Sequence, residues 1–165
     1  NRLNVAVSAT TRPPRAGEKE GEDYYFLDRS TFEWRIKAGD FVEWAEVHGN
    51  LYGTLKEELD RRCDAGSDVI LELDVQGMRS VRKTVDGECV TVFIMPPSME
   101  ELESRLRKRG ANDAADMALR LTNARAELDA RFEYDYLVVN DKLEEAVADF
   151  VGIVRAERCR VIKER

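Results

Sequence analysis

The chain has 165 residues, 26 Lys and Arg against 33 Asp and Glu for a net charge of −7, with 36% charged and 43% hydrophobic residues. That length suits one compact core with small inserted modules and excludes several independent domains. No apolar run nears the roughly 18 residues of a membrane span, and no charged start leads into a signal-like apolar stretch, so a cytoplasmic protein without membrane partners is expected.

Leu3 to Val7 reads as a strand that enters a loop, Ser8-Ala9-Thr10-Thr11-Arg12-Pro13-Pro14-Arg15. Two prolines fix φ and stiffen this loop around Arg12 and Arg15. Tyr24 to Leu27 is a short strand, and Ser30-Thr31-Phe32-Glu33 has capping-box spacing for a helix ending near Gly39. Phe41 to Val47, then His48-Gly49-Asn50 and Leu51-Tyr52, predict a hairpin. A second capping box, Thr54 to Glu57, predicts a helix stopping at Gly66.

Asp68 to Asp74 is an apolar strand ending in carboxylates, and Val90 to Met95 is another nearly continuous apolar run. Strands with little alternation predict a parallel sheet covered on both faces, with Gly77 to Lys83 in the crossover helix. A third capping box at Ser98 to Glu101 opens a charged helix through Arg109, with Gly110 as its stop, and a second charged helix runs from about Asp113 to Ala130. Tyr136 to Val139 returns to the sheet. Asp141 is placed to cap a last helix with Leu143, Val147, Phe150, Val151 and Val154 on one face. The pattern is α/β.

Three residue groups carry chemistry. Arg12 and Arg15 in the stiff loop, Arg105 and Arg109 four apart, and Arg120 on the next helix suit a substrate with several phosphates, because guanidinium groups offer forked donors and stay charged. The same spacing allows Arg105 and Arg109 simply to pair with Glu101 and nearby acids. Glu72 and Asp74 end a strand at the edge where open α/β sheets bind ligands, a position suited to magnesium held through water or equally to capping the next helix. Glu43, Tyr24, Tyr52 and Thr54 gather a carboxylate, two phenols and a hydroxyl. A carboxylate accepts from guanine N1–H and N2–H while a hydroxyl donates to O6. Alternatively Thr54 is a helix cap and the tyrosines are packing residues. Cys63, Cys89 and Cys159 are odd in number, widely separated and distant in sequence from His48, against a disulfide framework or zinc site. The acidity disfavours a general nucleic-acid surface.

Ser8-x-Thr10-Thr11-Arg12-x-Pro14-Arg15, Gly21-x-Asp23-Tyr24-x-Phe26, Phe41-x-Glu43-Trp44-Ala45, Gly49-Asn50-x-Tyr52-Gly53-Thr54, Asp74-x-Gln76-Gly77, Pro96-Pro97-Ser98, Arg105-x-x-x-Arg109-Gly110 and Val139-Asn140-Asp141 follow in order. Together they resemble the guanylate kinase family across nearly the whole chain. The resemblance implies a P-loop NTPase-type parallel sheet core flanked by helices (1–7, 68–99 and 132–165), an inserted mixed β/α GMP-binding module (8–67) and a helical lid (100–131). It implies transfer of the γ-phosphate of ATP to GMP with Mg2+, in purine metabolism, by a monomer or homodimer.

By that pattern Ser8, Arg12, Arg15 and Tyr24 hold the GMP phosphate, Glu43 and Thr54 read the base, and Tyr52 supports them. Glu72 and Asp74 border GMP and the magnesium waters. Arg105, Arg109 and Arg120 act on the ATP phosphates, and Asn140 lies near adenine. The family's G-x-x-x-x-G-K-[ST] loop, placed before the first strand, is absent from the 165 residues. The expectation is that these residues belong to the protein and that the given chain, taken literally, binds GMP without transferring phosphate. A guanylate-kinase-like domain that is inactive and holds a phosphorylated protein partner is the alternative. A kinase of phosphorylated sugars is disfavoured by Glu43 and Thr54.

Overall fold

A parallel strand pair needs a long crossover, and near the start of the chain that crossover is itself a small mixed sheet. The computed structural model describes residues 3–47, 49–85, 89–108 and 114–161, with only the backbone described at 114–116. His48, Arg109, Gly110 and Asp113, each named above, lie outside them. The chain forms two compact units, Asn1–Cys89 and Val90–Arg165.

In the first unit β1 (Leu3–Val5) pairs in parallel with β6 (Asp68–Ile70), Leu3 opposite Asp68. Between them come β2 (Ala9–Thr10), β3 (Tyr25–Phe26), β4 (Phe41–Val47) and β5 (Asn50–Leu55), in the spatial order β3-β2-β5-β4. The predicted hairpin is the antiparallel β4–β5 pair. Its apolar face and that of α1 (Arg29–Ala38) enclose Ala9, Phe32, Phe41, Leu51 and Leu55, with Phe32 stacked on Phe41 at 4.4 Å. Residues Leu71 to Asp74, predicted as strand, continue past the ladder because β1 offers β6 only three partners.

The caps differ from expectation in two places here. Helix α1 is capped by Asp28 rather than Ser30: the Asp28 carboxylate accepts from the Thr31 amide at 2.8 Å and from the Ser30 and Thr31 hydroxyls. Those bonds, Ser30's first, hold the Asp28 carboxyl below the usual carboxylate range. The predicted Gly39 stop is present, with φ 75° and its amide donating to the Arg35 and Ile36 carbonyls. Helix α2 (Lys56–Asp64) has no side-chain cap, because Thr54 belongs to β5 and its hydroxyl is used elsewhere. Helix α3 (Val75–Thr84) begins at Asp74, whose Oδ1 accepts from the Gly77 amide at 2.7 Å.

Gly53 lies opposite Trp44 in the hairpin. A Cβ there would sit 2.6 Å from the Glu43 carbonyl oxygen and 2.9 Å from both Phe41 Cδ1 and Trp44 Cβ. Two of those neighbours are backbone or backbone-attached and have nowhere to go, so Gly53→Ala is expected to cost about 1–3 kcal/mol in denaturant unfolding.

In the second unit β7 (Val92–Met95) pairs in parallel with β8 (Tyr136–Val139). The crossover holds α4 (Met99–Lys108), whose Glu101 amide donates to Ser98 Oγ at 3.2 Å as predicted, then α5 (Ala114–Asp129) and a 3-10 turn (Ala130–Glu133). Helix α6 (Leu143–Arg158) is preceded by Lys142 as its cap residue, without a side-chain bond, rather than by Asp141. Ala146 is its buried residue and Phe150, Val151 and Val154 are half-buried, whereas Leu143 and Val147 are exposed. Among the described residues no helix is long and apolar enough to cross a membrane.

Candidate functional site

Strand β5 carries Tyr52 and Thr54 two residues apart, which puts them on one sheet face about 7 Å from each other. Two clusters grow from these positions.

At Thr54 the partner is Glu43 of β4, directly opposite in the register. Thr54 Oγ1 donates to Glu43 Oε1 at 2.8 Å, and both residues are buried, at 1% and 8% exposure. A bulge between Phe41 and Glu43 explains why alternation fails here: Phe41, Val42 and Glu43 are all buried. Burial pushes the Glu43 carboxyl above its ordinary range, the Thr54 bonds oppose that, and the Asp74 charge adds to it. A Cβ at Gly77 would stand 3.4 Å from both Glu43 Oε2 and Asp74 Oδ1. The Glu43 carboxylate and Asp74 therefore both stand beside Gly77 at the amino end of α3. Asp74 and Glu72 are themselves exposed, and Asp74 serves as the α3 cap.

At Tyr52 the chain leaving β2 is stapled down. Thr10 Oγ1 donates to the Leu51 carbonyl at 3.0 Å and accepts from the Arg12 amide at 3.1 Å, while Thr11 Oγ1 accepts from the Leu51 amide at 2.9 Å. Arg12 is thus fixed first by its backbone. Its Nη1 then donates to the Pro13 carbonyl, and its Nη2 reaches Glu18 Oε1 and Oε2 at 2.7 and 3.0 Å. The guanidinium carbon stands 5.4 Å over the Tyr24 ring, and Tyr24 meets Tyr52 edge-on at 6.2 Å. The mutual hydrogen bond holds Arg12 above and Glu18 below their ordinary ranges.

Arg12, Tyr24 and Tyr52 therefore come together as a cationic, phenol-lined corner. Ser8 is half-buried at the junction, its carbonyl accepting from the Tyr25 amide at 2.9 Å. Arg15 is exposed, and its amide donates to Glu18 Oε2 at 2.6 Å. Glu18 was not singled out from the sequence. The signal was present in the turn of Gly17, at φ 93°, which carries the Glu18 amide back to the Arg15 carbonyl at 3.1 Å.

In the second unit Arg105 Nε donates to Glu101 Oε1 at 2.7 Å, the pairing allowed by helix spacing alone. Its Nη1 also donates to the Asn140 carbonyl at 2.9 Å, so the structure brings Arg105 and Asn140 together at the carboxyl end of β8. Arg120 is exposed on α5, and Arg109 is outside the described residues. Among the described residues no cluster of three or more His, Cys, Asp or Glu side chains is arranged to hold a metal.

A family model described as Guanylate kinase matches residues 1–157. A guanylate kinase of Chromobacterium violaceum is 48% identical over 158 residues, 96% of this chain and 75% of the relative. One of Thermotoga maritima is 45% identical over 160 residues, 97% of this chain and 77% of the relative. The crystal structure of guanylate kinase from Anaplasma phagocytophilum superimposes with a TM-score of 0.80 at 38% identity, covering 96% of this chain and 78% of that one.

Proposed function

The chain belongs to the guanylate kinase family, with that family's P-loop NTPase-type α/β fold, and from this premise we propose how an ATP:GMP phosphotransferase forming ADP and GDP uses its residues. The observation that carries the reading is the buried Glu43–Thr54 pair. Guanine offers two adjacent donors, N1–H and N2–H, to the Glu43 carboxylate, and the Thr54 hydroxyl turns to donate to O6. Adenine sets an amino group where O6 would be and an acceptor at N1. A buried carboxylate facing an acceptor is left unsatisfied, which is how the site rejects AMP.

The GMP phosphate is assigned to Arg12, Arg15, Ser8 and Tyr24, while Tyr52, which the resemblance puts in support of the base site, meets the Tyr24 ring edge-on. Arg12 is held over the Tyr24 ring before GMP arrives, and phosphate oxygens would take over donors that now go to Glu18 and the Pro13 carbonyl. Arg105, Arg109 and Arg120 are assigned to the ATP phosphates, and Asn140 to adenine. The Arg105 contact with the Asn140 carbonyl supports keeping those two in one site. Phosphoryl transfer needs alignment and charge stabilisation more than a covalent group, and these arginines supply both.

Magnesium is inferred with ATP. The described acids fit it only through water: Asp74 is exposed, with one oxygen on the Gly77 amide, beside exposed Glu72. The ion, when bound, neutralises charge on the transferring phosphates. We infer the organisation as a GMP-binding module at 8–67, a lid at 100–131 and a sheet core from the remaining segments, working in cytoplasmic purine nucleotide metabolism and GMP recycling.

The test is ADP formation by the full-length protein with ATP and Mg2+. Turnover is expected with GMP and, at the same concentration, at least about a hundredfold less with AMP. Equal rates with both would remove Glu43 and Thr54 from base reading. GMP binding without ADP formation would favour the inactive binding domain instead.

A further inference from the structure

We propose that Glu58 is the positioning residue that sets the phosphate end of the GMP site, a role that rests on the functional reading above. Glu58 lies on α2 and is 1% exposed. Its Oε1 accepts from the Val7 amide at 3.0 Å and from Arg62 Nε, and its Oε2 accepts from the Tyr25 hydroxyl at 3.1 Å and from Arg61 Nη2. Four donors from three segments converge on one buried carboxylate.

Anchoring a helix alone does not call for a buried charge, since an apolar residue of similar size does that as well or better. The carboxylate supplies what an apolar residue lacks, namely an acceptor for the Val7 amide. The ladder with β6 ends one residue earlier, where the Ala6 amide donates to the Ile70 carbonyl, and Val7 is buried at 7% exposure. Without Glu58 that amide is a buried orphan at the point where the chain passes from the parallel pair into the mixed sheet.

The next residue is Ser8. On the other side, Tyr24 and Tyr25 are consecutive in extended chain and face opposite ways, so holding the Tyr25 hydroxyl on Glu58 fixes the face from which Tyr24 reaches Arg12. One side chain thus fixes both Ser8 and Tyr24. The base pair Glu43–Thr54 makes none of these contacts.

The consequence is a loss specific to ligands carrying the phosphate. Binding of GMP and of guanosine to the full-length protein is measured by calorimetry for the wild type, Glu58→Gln and Tyr25→Phe. GMP affinity is expected to fall about tenfold in Glu58→Gln and about threefold in Tyr25→Phe, while guanosine affinity stays within about twofold of wild type. Parallel losses for both ligands, or no loss for GMP, would overturn the proposal and leave Glu58 as a brace for α2. If Glu58→Gln does not fold, the GMP-to-guanosine ratio of Tyr25→Phe decides alone by the same criterion. A wild type that binds guanosine as tightly as GMP would instead sink the phosphate-site reading, and this proposal with it.

Discussion

Replacing Glu43 by Gln is expected to lower GMP affinity about a hundredfold and to bring GMP and AMP close to parity, while making the free protein more stable at neutral pH. The functional loss follows from hydrogen-bond polarity. A glutamine keeps one acceptor for Thr54 but turns the second position into a donor that faces the guanine N–H edge. The gain in stability follows from burial, which raises the Glu43 carboxyl above its unfolded value. A raised carboxyl contributes stability that is fully present below the unfolded value and is lost as pH rises through the folded one. As pH rises above the unfolded value the wild type therefore bears a growing cost of burying a group that tends to ionise, and the neutral variant does not. Thermal melts should show the variant ahead near pH 7, with the gap closing below about pH 4.3, the unperturbed glutamate value. A variant that melts lower than wild type at pH 7 would show that the charge is better compensated than its surroundings indicate.

Arg12→Ala should raise the KM for GMP by about ten- to a hundredfold, as expected for losing hydrogen bonds between charged groups, and leave guanosine binding nearly unchanged. Three contacts define the side chain before any ligand arrives: Glu18 on one edge, the Pro13 carbonyl beside it and the Tyr24 ring beneath. Arg12→Lys keeps the charge without the fork, so it should recover only part of the loss. Steady-state kinetics with GMP, paired with guanosine binding, separates this from general damage. Equal weakening of both ligands would place Arg12 in the scaffold rather than at the phosphate.

The elements that rest on local chemistry were legible in the sequence. Gly39 stops α1, Ser98 opens α4, and the β4–β5 hairpin falls where the alternation places it. Local spacing fails where several polar residues compete for one role. Asp28 wins the cap from Ser30 because its two carboxylate oxygens collect an amide and both hydroxyls. Thr54 has the spacing of a cap but spends its hydroxyl on Glu43, across the strand. The bulge before Glu43 is equally hidden, since one extra residue changes which side chains are buried without altering composition.

In the site, Glu43 and Thr54 meet as their residue types suggested, whereas Tyr24 and Tyr52, gathered with them by residue type, stand with Arg12 instead. Glu18 was marked only by the Gly17 turn beside it, and Glu58 escaped because nothing in its own neighbourhood distinguishes it from the other acids of a chain with 33 of them. Glu58 bonds to Val7, 51 residues away, and only tertiary folding reveals that partner.

In this hairpin Glu43 and Thr54, which hydrogen-bond to each other, stand only 11 positions apart in sequence. Contacts this local form early and at small entropic cost, so the base-reading role proposed for this pair would fall to a segment able to find its shape before the long-range connections of the molecule are made. The residues proposed for the phosphate belong to a different stretch of chain, Ser8 to Tyr24. On that proposed division, base preference would drift through changes at two side chains while the hold on the phosphate is inherited intact, which makes this hairpin the place where a change of nucleotide substrate would begin.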